Sequence, residues 1–156
     1  MPDPRLIPKI RERLERFDYH AVFACGECFR FALRLHERFG YRIRGVKVPF
    51  GTGGETWSHV WAHGDSRTCI DINGVYEERL LTALCGSESA PVYDADPAEI
   101  RSRIRQGGYP PELDSELYEL ADKIFDSHER FIAAKPTNLK VTSEFLEELN
   151  GQAGQS

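Results

Sequence analysis

Apolar residues recur at helical spacing along the first forty positions. Ile7, Ile10, Leu14 and Phe17 return every three or four residues with Arg and Glu between them. An amphipathic helix is therefore predicted to begin near Pro8, since proline is tolerated in a first turn. A second apolar set, Phe29, Phe31, Ala32, Leu33, Leu35 and Phe39, is too wide for one stripe. It predicts a central helix from about Cys28 to Phe39, covered on two sides and stopped by Gly40. Arg30, Arg34 and Arg38 stand four apart and read as its single wet edge.

Beyond Gly40 the period drops to two. Tyr41, Ile43 and Gly45 alternate with Arg42 and Arg44, and Val46 and Val48 follow, which predicts a strand. Residues 50–58, FGTGGETWS, read as a glycine-rich loop. HVWAH (59–63) and TCIDI (68–72) read as two short strands joined into a hairpin by Gly64-Asp65-Ser66-Arg67, with Asn73-Gly74 as the next turn. Helical patterns return at about 76–85, 97–106 and 114–133. The last is capped by Asp114 or Ser115 and carries Leu117, Leu120, Ile124, Phe125 and Phe131 on its apolar face. A short final helix is predicted over 143–150 and a disordered tail over 151–156. This order implies an α+β domain with a small antiparallel sheet. One domain is expected over 1–135, with 136–150 as a C-terminal extension.

Charge narrows the partners. The 156 residues carry 20 Lys+Arg against 25 Asp+Glu, a net charge of −5, which speaks against nucleic acid or an anionic membrane surface. No run approaches the ~18 apolar residues of a membrane helix. The opening MPDPRLIPKIRERLERF is charged and proline-punctuated, unlike a signal peptide, so a reducing, cytoplasmic setting is expected. The four cysteines, Cys25, Cys28, Cys69 and Cys85, then need an explanation other than disulfide staples. His20, His36 and His128 sit among charged neighbours and read as solvated.

Cys25 and Cys28, in FACGECFR, open the central helix, and three chemistries use such a pair. A zinc clip would complete it from His59, His63, Cys69 and Cys85, with His59 and Cys69 foremost, but a structural site usually offers a second tight ligand pair, and no second Cys-x-x-Cys exists. A thioredoxin-like redox pair needs a strand-helix-strand run before it, and only 24 residues precede Cys25. A cysteine nucleophile needs a base within hydrogen-bond reach and an acceptor to orient that base. His59 and Asp71 supply both if the hairpin loop is odd in length. With pairs 63/67, 61/69 and 59/71 the imidazole stands directly across from the carboxylate, whereas an even loop sends the two to opposite faces. The helical stripe of residues 31, 32, 35 and 39, extended backwards, reaches Cys28, so Cys28 points at the hairpin. In the first turn it also feels the helix dipole.

These residues resemble a known plan. GECFRFALRLHERFGY, then SHVWA, then CIDINGVY are similar to the core of the papain-like cysteine peptidases, most closely the transglutaminase-like branch, over about residues 23–75. In that family a nucleophilic cysteine opens a central helix, and a histidine and an aspartate follow on successive strands. The resemblance implies a nucleophile-bearing helix packed on a small antiparallel sheet, with additional helices C-terminal to it. It matches Cys28 to the nucleophile, His59 to the base and Asp71 to the orienting acid. The transglutaminase-like Cys-Gly-Glu begins here at Cys25, which makes Cys25 the alternative nucleophile, and Asp71-Ile-Asn-Gly74 replaces the usual Asp-Pro-Thr-like run. The implied activity is hydrolysis or acyl transfer through a thioester on a protein or peptide substrate, with no cofactor. Trp57 or Trp61 could offer an indole N–H to the oxyanion. The contrasting expectation is a non-enzymatic module, papain-like or zinc-clipped, that binds a protein partner.

Overall fold

Gly40 ends the central helix as its position implies. It takes a left-handed conformation, φ 77°, and its N–H closes on the His36 carbonyl. That helix, α3 (Cys28–Phe39), is the third of eleven elements in the computed structural model, which describes residues 5–16, 19–24, 27–64, 67–87 and 89–132. α1 (Leu6–Glu15) and α2 (Tyr19–Ala24) precede it. β1 (Arg42–Phe50), β2 (Gly54–His63), β3 (Thr68–Asp71) and β4 (Gly74–Glu77) follow, then α4 (Glu78–Leu84), β5 (Tyr93–Ala95), α5 (Pro97–Gln106) and α6 (Pro111–Ile132). Among the described residues this is an α+β architecture of six helices and one antiparallel five-stranded sheet, ordered β4-β3-β2-β1-β5. No helix in them is long and apolar enough to cross a membrane. The short helix predicted over 143–150, the 136–150 extension and the 151–156 tail fall outside the described residues.

Strand alternation divides the core. Val60 and Ala62 face α3, and Trp61 faces the other side. On the α3 side, Phe31 and Leu35 meet Ala62, Ile70 and Val75 of the sheet and Leu117, Ala121 and Phe125 of α6. Beside them, Cys28, Ala32 and Leu33 meet Ile43, Trp57, Val60 and Ile100. On the opposite side Trp61 packs with Val46, Cys69, Tyr76 and Leu81, beneath α4.

Several expectations need correction. The 50–58 segment is not a loop: only residues 51–53 turn, and Phe50 pairs with Gly54 across the hairpin. Gly51 and Gly53, at φ 64° and 80°, supply the left-handed residues that so tight a connection requires. Nor does a helix begin at 76. Residues 74–77 form β4, reached from Asp71 through a two-residue turn at Ile72-Asn73. Val75 and Tyr76 fit either period, and pairing with Ile70 and Cys69 decides for the strand. The last helix starts at Pro111, so Asp114 is not its cap.

The arginine row is not a wet edge. Arg30 is 4 % exposed and pairs with Glu27 at 2.5 Å and Asp114 at 2.8 Å. Arg34 makes two bonds of 2.8 Å to Asp122, and Arg38 reaches Asp126 at 2.8 Å. α3 and α6 therefore run parallel, with the arginines of one aligned on the aspartates of the other.

Candidate active site

The β2–β3 register sets up the site. Ala62 pairs with Ile70 and His63 with Cys69, and the Gly64 N–H donates to the Thr68 carbonyl at 3.0 Å. The connection is odd in length, as the triad geometry demands, but the register lies two residues from the expected 59/71 pairing. His59 and Asp71 therefore share a face as diagonal neighbours rather than direct partners. His59 Nε2–H donates to Asp71 Oδ2 at 3.4 Å, a long bond that suits the diagonal.

A β-bulge sits directly before His59. β1 pairs Val46 with His59 and then Lys47 with Trp57, which leaves Ser58 as the extra residue. The bulge puts Trp57 on the α3 side without turning His59 away from Asp71. Gly45 lies against this kink, where a Cβ would come 2.5 Å from the His59 carbonyl oxygen. Among the described residues β3 pairs with β2 only near its end, so the flank of β2 beside His59 has no strand neighbour. There Cys28, at the start of α3, makes its hydrogen-bonding contact with His59. Burial opposes a positive charge on His59, but the Asp71 hydrogen bond and then the Cys28 sulfur outweigh it, lifting the imidazole to about 10. Cys28 is 5 % exposed.

Asp71 is held from three sides. The Asn73 backbone N–H donates to its Oδ1 at 2.8 Å, an Asx turn across the β3–β4 connection. The Tyr76 hydroxyl donates to Oδ2 at 2.7 Å, the oxygen His59 also uses. The Asn73 side chain contacts the Tyr76 hydroxyl, and its Oδ1 accepts from His20 Nε2 at 2.5 Å. His20, read from sequence as solvated, is half-buried and ties α2 to this turn. His36 is likewise engaged, through Nδ1 and the Tyr41 carbonyl at 2.8 Å; the His128 side chain lies outside the described residues.

The other candidates lie elsewhere. Both indole N–H groups are already used: Trp57 donates to Glu99 at 3.0 Å and Trp61 to Glu78 at 2.9 Å. Neither is an oxyanion donor in this arrangement. Cys25 lies outside the described residues. Cys69 is buried beside Trp61 and Tyr76, and burial, then the Asp71 charge, push its thiol far up. Among the described residues no group of three His, Cys, Asp or Glu side chains is placed to hold a metal ion. His63 belongs to a separate cluster, 3.3 Å from Glu78, and burial pushes it down. Cys85, just past α4 and exposed, is within electrostatic reach of His59, Asp71 and Cys28.

Two features of the site escaped the sequence. Glu27 is 1 % exposed and accepts from Arg30 and from the Tyr109 hydroxyl, which anchors the residue before Cys28. Burial pushes its carboxyl up against the opposing pull of Arg30. Tyr76 was placed in a helix. Its signal was the CIDINGVY pattern, in which two alternating runs flank Asn-Gly as in a hairpin. Neither a protein-family model, nor a curated protein, nor a solved structure matches the chain.

Proposed function

We propose that the chain is a cysteine-dependent hydrolase or acyltransferase with a papain-like core of the transglutaminase type, acting on an amide or ester. The observation that carries this reading is the continuous line Asp71–His59–Cys28, with the imidazole between carboxylate and sulfur. Cys28 and His59 form a thiolate–imidazolium pair. The thiolate attacks the carbonyl carbon and gives a tetrahedral oxyanion. His59 passes its proton to the leaving group, the carbonyl re-forms as a thioester, and water or an amine then releases the acyl group. Asp71 fixes the ring and stabilises its charge. The Cys28 N–H, a first-turn donor for which α3 itself supplies no acceptor, serves as the oxyanion donor in this reading.

A groove of about 550 Å³ adjoins the nucleophile's turn, lined by Glu27, Phe29, Arg30, Thr56, Arg103 and Tyr109. It is of a size to take side chains of a protein or peptide substrate. No cofactor is needed for any step.

Iodoacetamide labelling followed by peptide mapping tests the reading. At about pH 6 a free thiol of pKa near 8.5 is almost wholly protonated. Cys28 is expected to alkylate there faster than the exposed Cys85, and His59→Gln is expected to abolish the difference. Labelling of Cys85 ahead of Cys28 at that pH would sink the proposal.

A further inference from the structure

Asp71 Oδ2 serves two donors at once. The Tyr76 hydroxyl is the nearer, at 2.7 Å against 3.4 Å for His59 Nε2. The shorter bond takes the larger share of the oxygen's charge. Tyr76 is buried, and burial followed by the Asp71 charge pushes its phenol well above the usual range, so it stays a donor at any ordinary pH.

We propose that Tyr76 is a positioning residue that acts through Asp71, drawing charge from Oδ2 and so loosening the carboxylate's hold on the His59 imidazolium. The inference rests on the Cys28–His59–Asp71 reading above. A general acid that binds its proton too tightly gives it up slowly, and His59 is already lifted to about 10. The hydroxyl keeps that lift from growing further.

The surroundings leave Tyr76 as the group that can do this. Among the described residues, Cys28 from α3, Asp71 from β3 and Cys85 after α4 are the titratable groups around His59, and its partner on β1 is the apolar Val46. Around Asp71, among the described residues, stand Tyr76 from β4, Cys69 on its own strand, Cys85 after α4, and His20 of α2, which is linked to it through Asn73. Asn73 in turn contacts the hydroxyl with its side chain and so helps to aim it.

The test follows Cys28 alkylation by iodoacetamide in the full chain from about pH 5 to about pH 11, where loss of the imidazolium proton gives an upper inflection. In Tyr76→Phe that inflection is expected to move up by roughly half a unit or more. A purely structural role predicts the reverse, because a loosened Asp71 would let His59 fall back toward its ordinary value. Asn73→Ala, which keeps the backbone N–H on Oδ1 but removes the side chain at the hydroxyl, is expected to move it up by less. It serves if Tyr76→Phe does not fold. An inflection that stays put or falls overturns the inference while leaving the triad intact. Wild-type protein with no alkylation below the free-thiol range overturns the triad itself.

Discussion

His59 is held by Asp71 on the next strand and by Cys28 at the start of α3, and its substitution removes the ring between them. In His59→Gln the thiol loses its base, and Cys28 labelling at about pH 6 is expected to slow roughly a hundredfold, within the range of general-base effects. Cys28→Ser is expected to remove the fast labelling at about pH 6 while the fold persists, since the hydroxyl is close in size to the thiol. At this scale much of the site was legible. A histidine on one strand and an aspartate on the next share a face whenever the connecting loop is odd, and His59 and Asp71 obey that parity. The tyrosine and asparagine that brace Asp71 were not legible. Taken alone, Val75-Tyr76-Glu77 fits a four-residue strand and the first turn of the following helix equally well, and only the alternation on both sides of Asn73-Gly74 favours the strand. Burial of His20 could not be read either, since it depends on a contact 53 positions away.

The bulge in β2 is the element on which the site turns. Gly45 pairs with Val60 just beside it, where a side chain would strike its neighbours: the Cβ would stand 2.5 Å from the His59 carbonyl oxygen and 2.8 Å from Val60 Cγ1. Gly45→Ala is therefore expected to cost about 1–3 kcal/mol in chemical denaturation and to slow low-pH labelling of Cys28, by pushing His59 off its line. The helix pair α3–α6 gives a graded series. Arg30→Ala leaves Glu27 buried without its cation, held by the Tyr109 hydroxyl, and is expected to cost about 3–5 kcal/mol. Arg38→Ala removes a bond to a mostly exposed carboxylate and should cost less than about 1 kcal/mol. Equal losses at the two sites would contradict this account of the seam. The sequence showed the four-residue spacing of these arginines but not their burial. An i, i+4 row of charge looks the same whether water or a second helix faces it.

For the molecule as a whole, His59 makes stability depend on pH. Its folded value, about 10, lies above the ordinary 6.5, so the fold favours the protonated ring. That contribution is complete below about pH 6.5 and disappears as the pH rises through about 10. Denaturation midpoints of the wild type and His59→Gln should differ most at about pH 6 and converge toward about pH 10. A gap that widened with pH would reverse the sign and refute the assignment. The α+β layout, the central helix and its glycine stop were all readable, because periodicity is a local property. The order of the strands, the short β5 edge and the parallel seating of α6 were not, because each depends on residues far apart in the chain.

The seam between α3 and α6 also bears on how the protein is made. Cys28, His59 and Asp71 all leave the ribosome before α6 begins, yet Arg30, two positions from the sulfur, meets its second carboxylate only when Asp114 arrives, and Arg34 and Arg38 wait for Asp122 and Asp126. Until then the helix that bears the thiol carries three cations with little to settle against. Seating of that helix is thus deferred until α6 has been made, and a nascent chain stalled before residue 111 would carry Cys28, His59 and Asp71 without the clamp that holds α3.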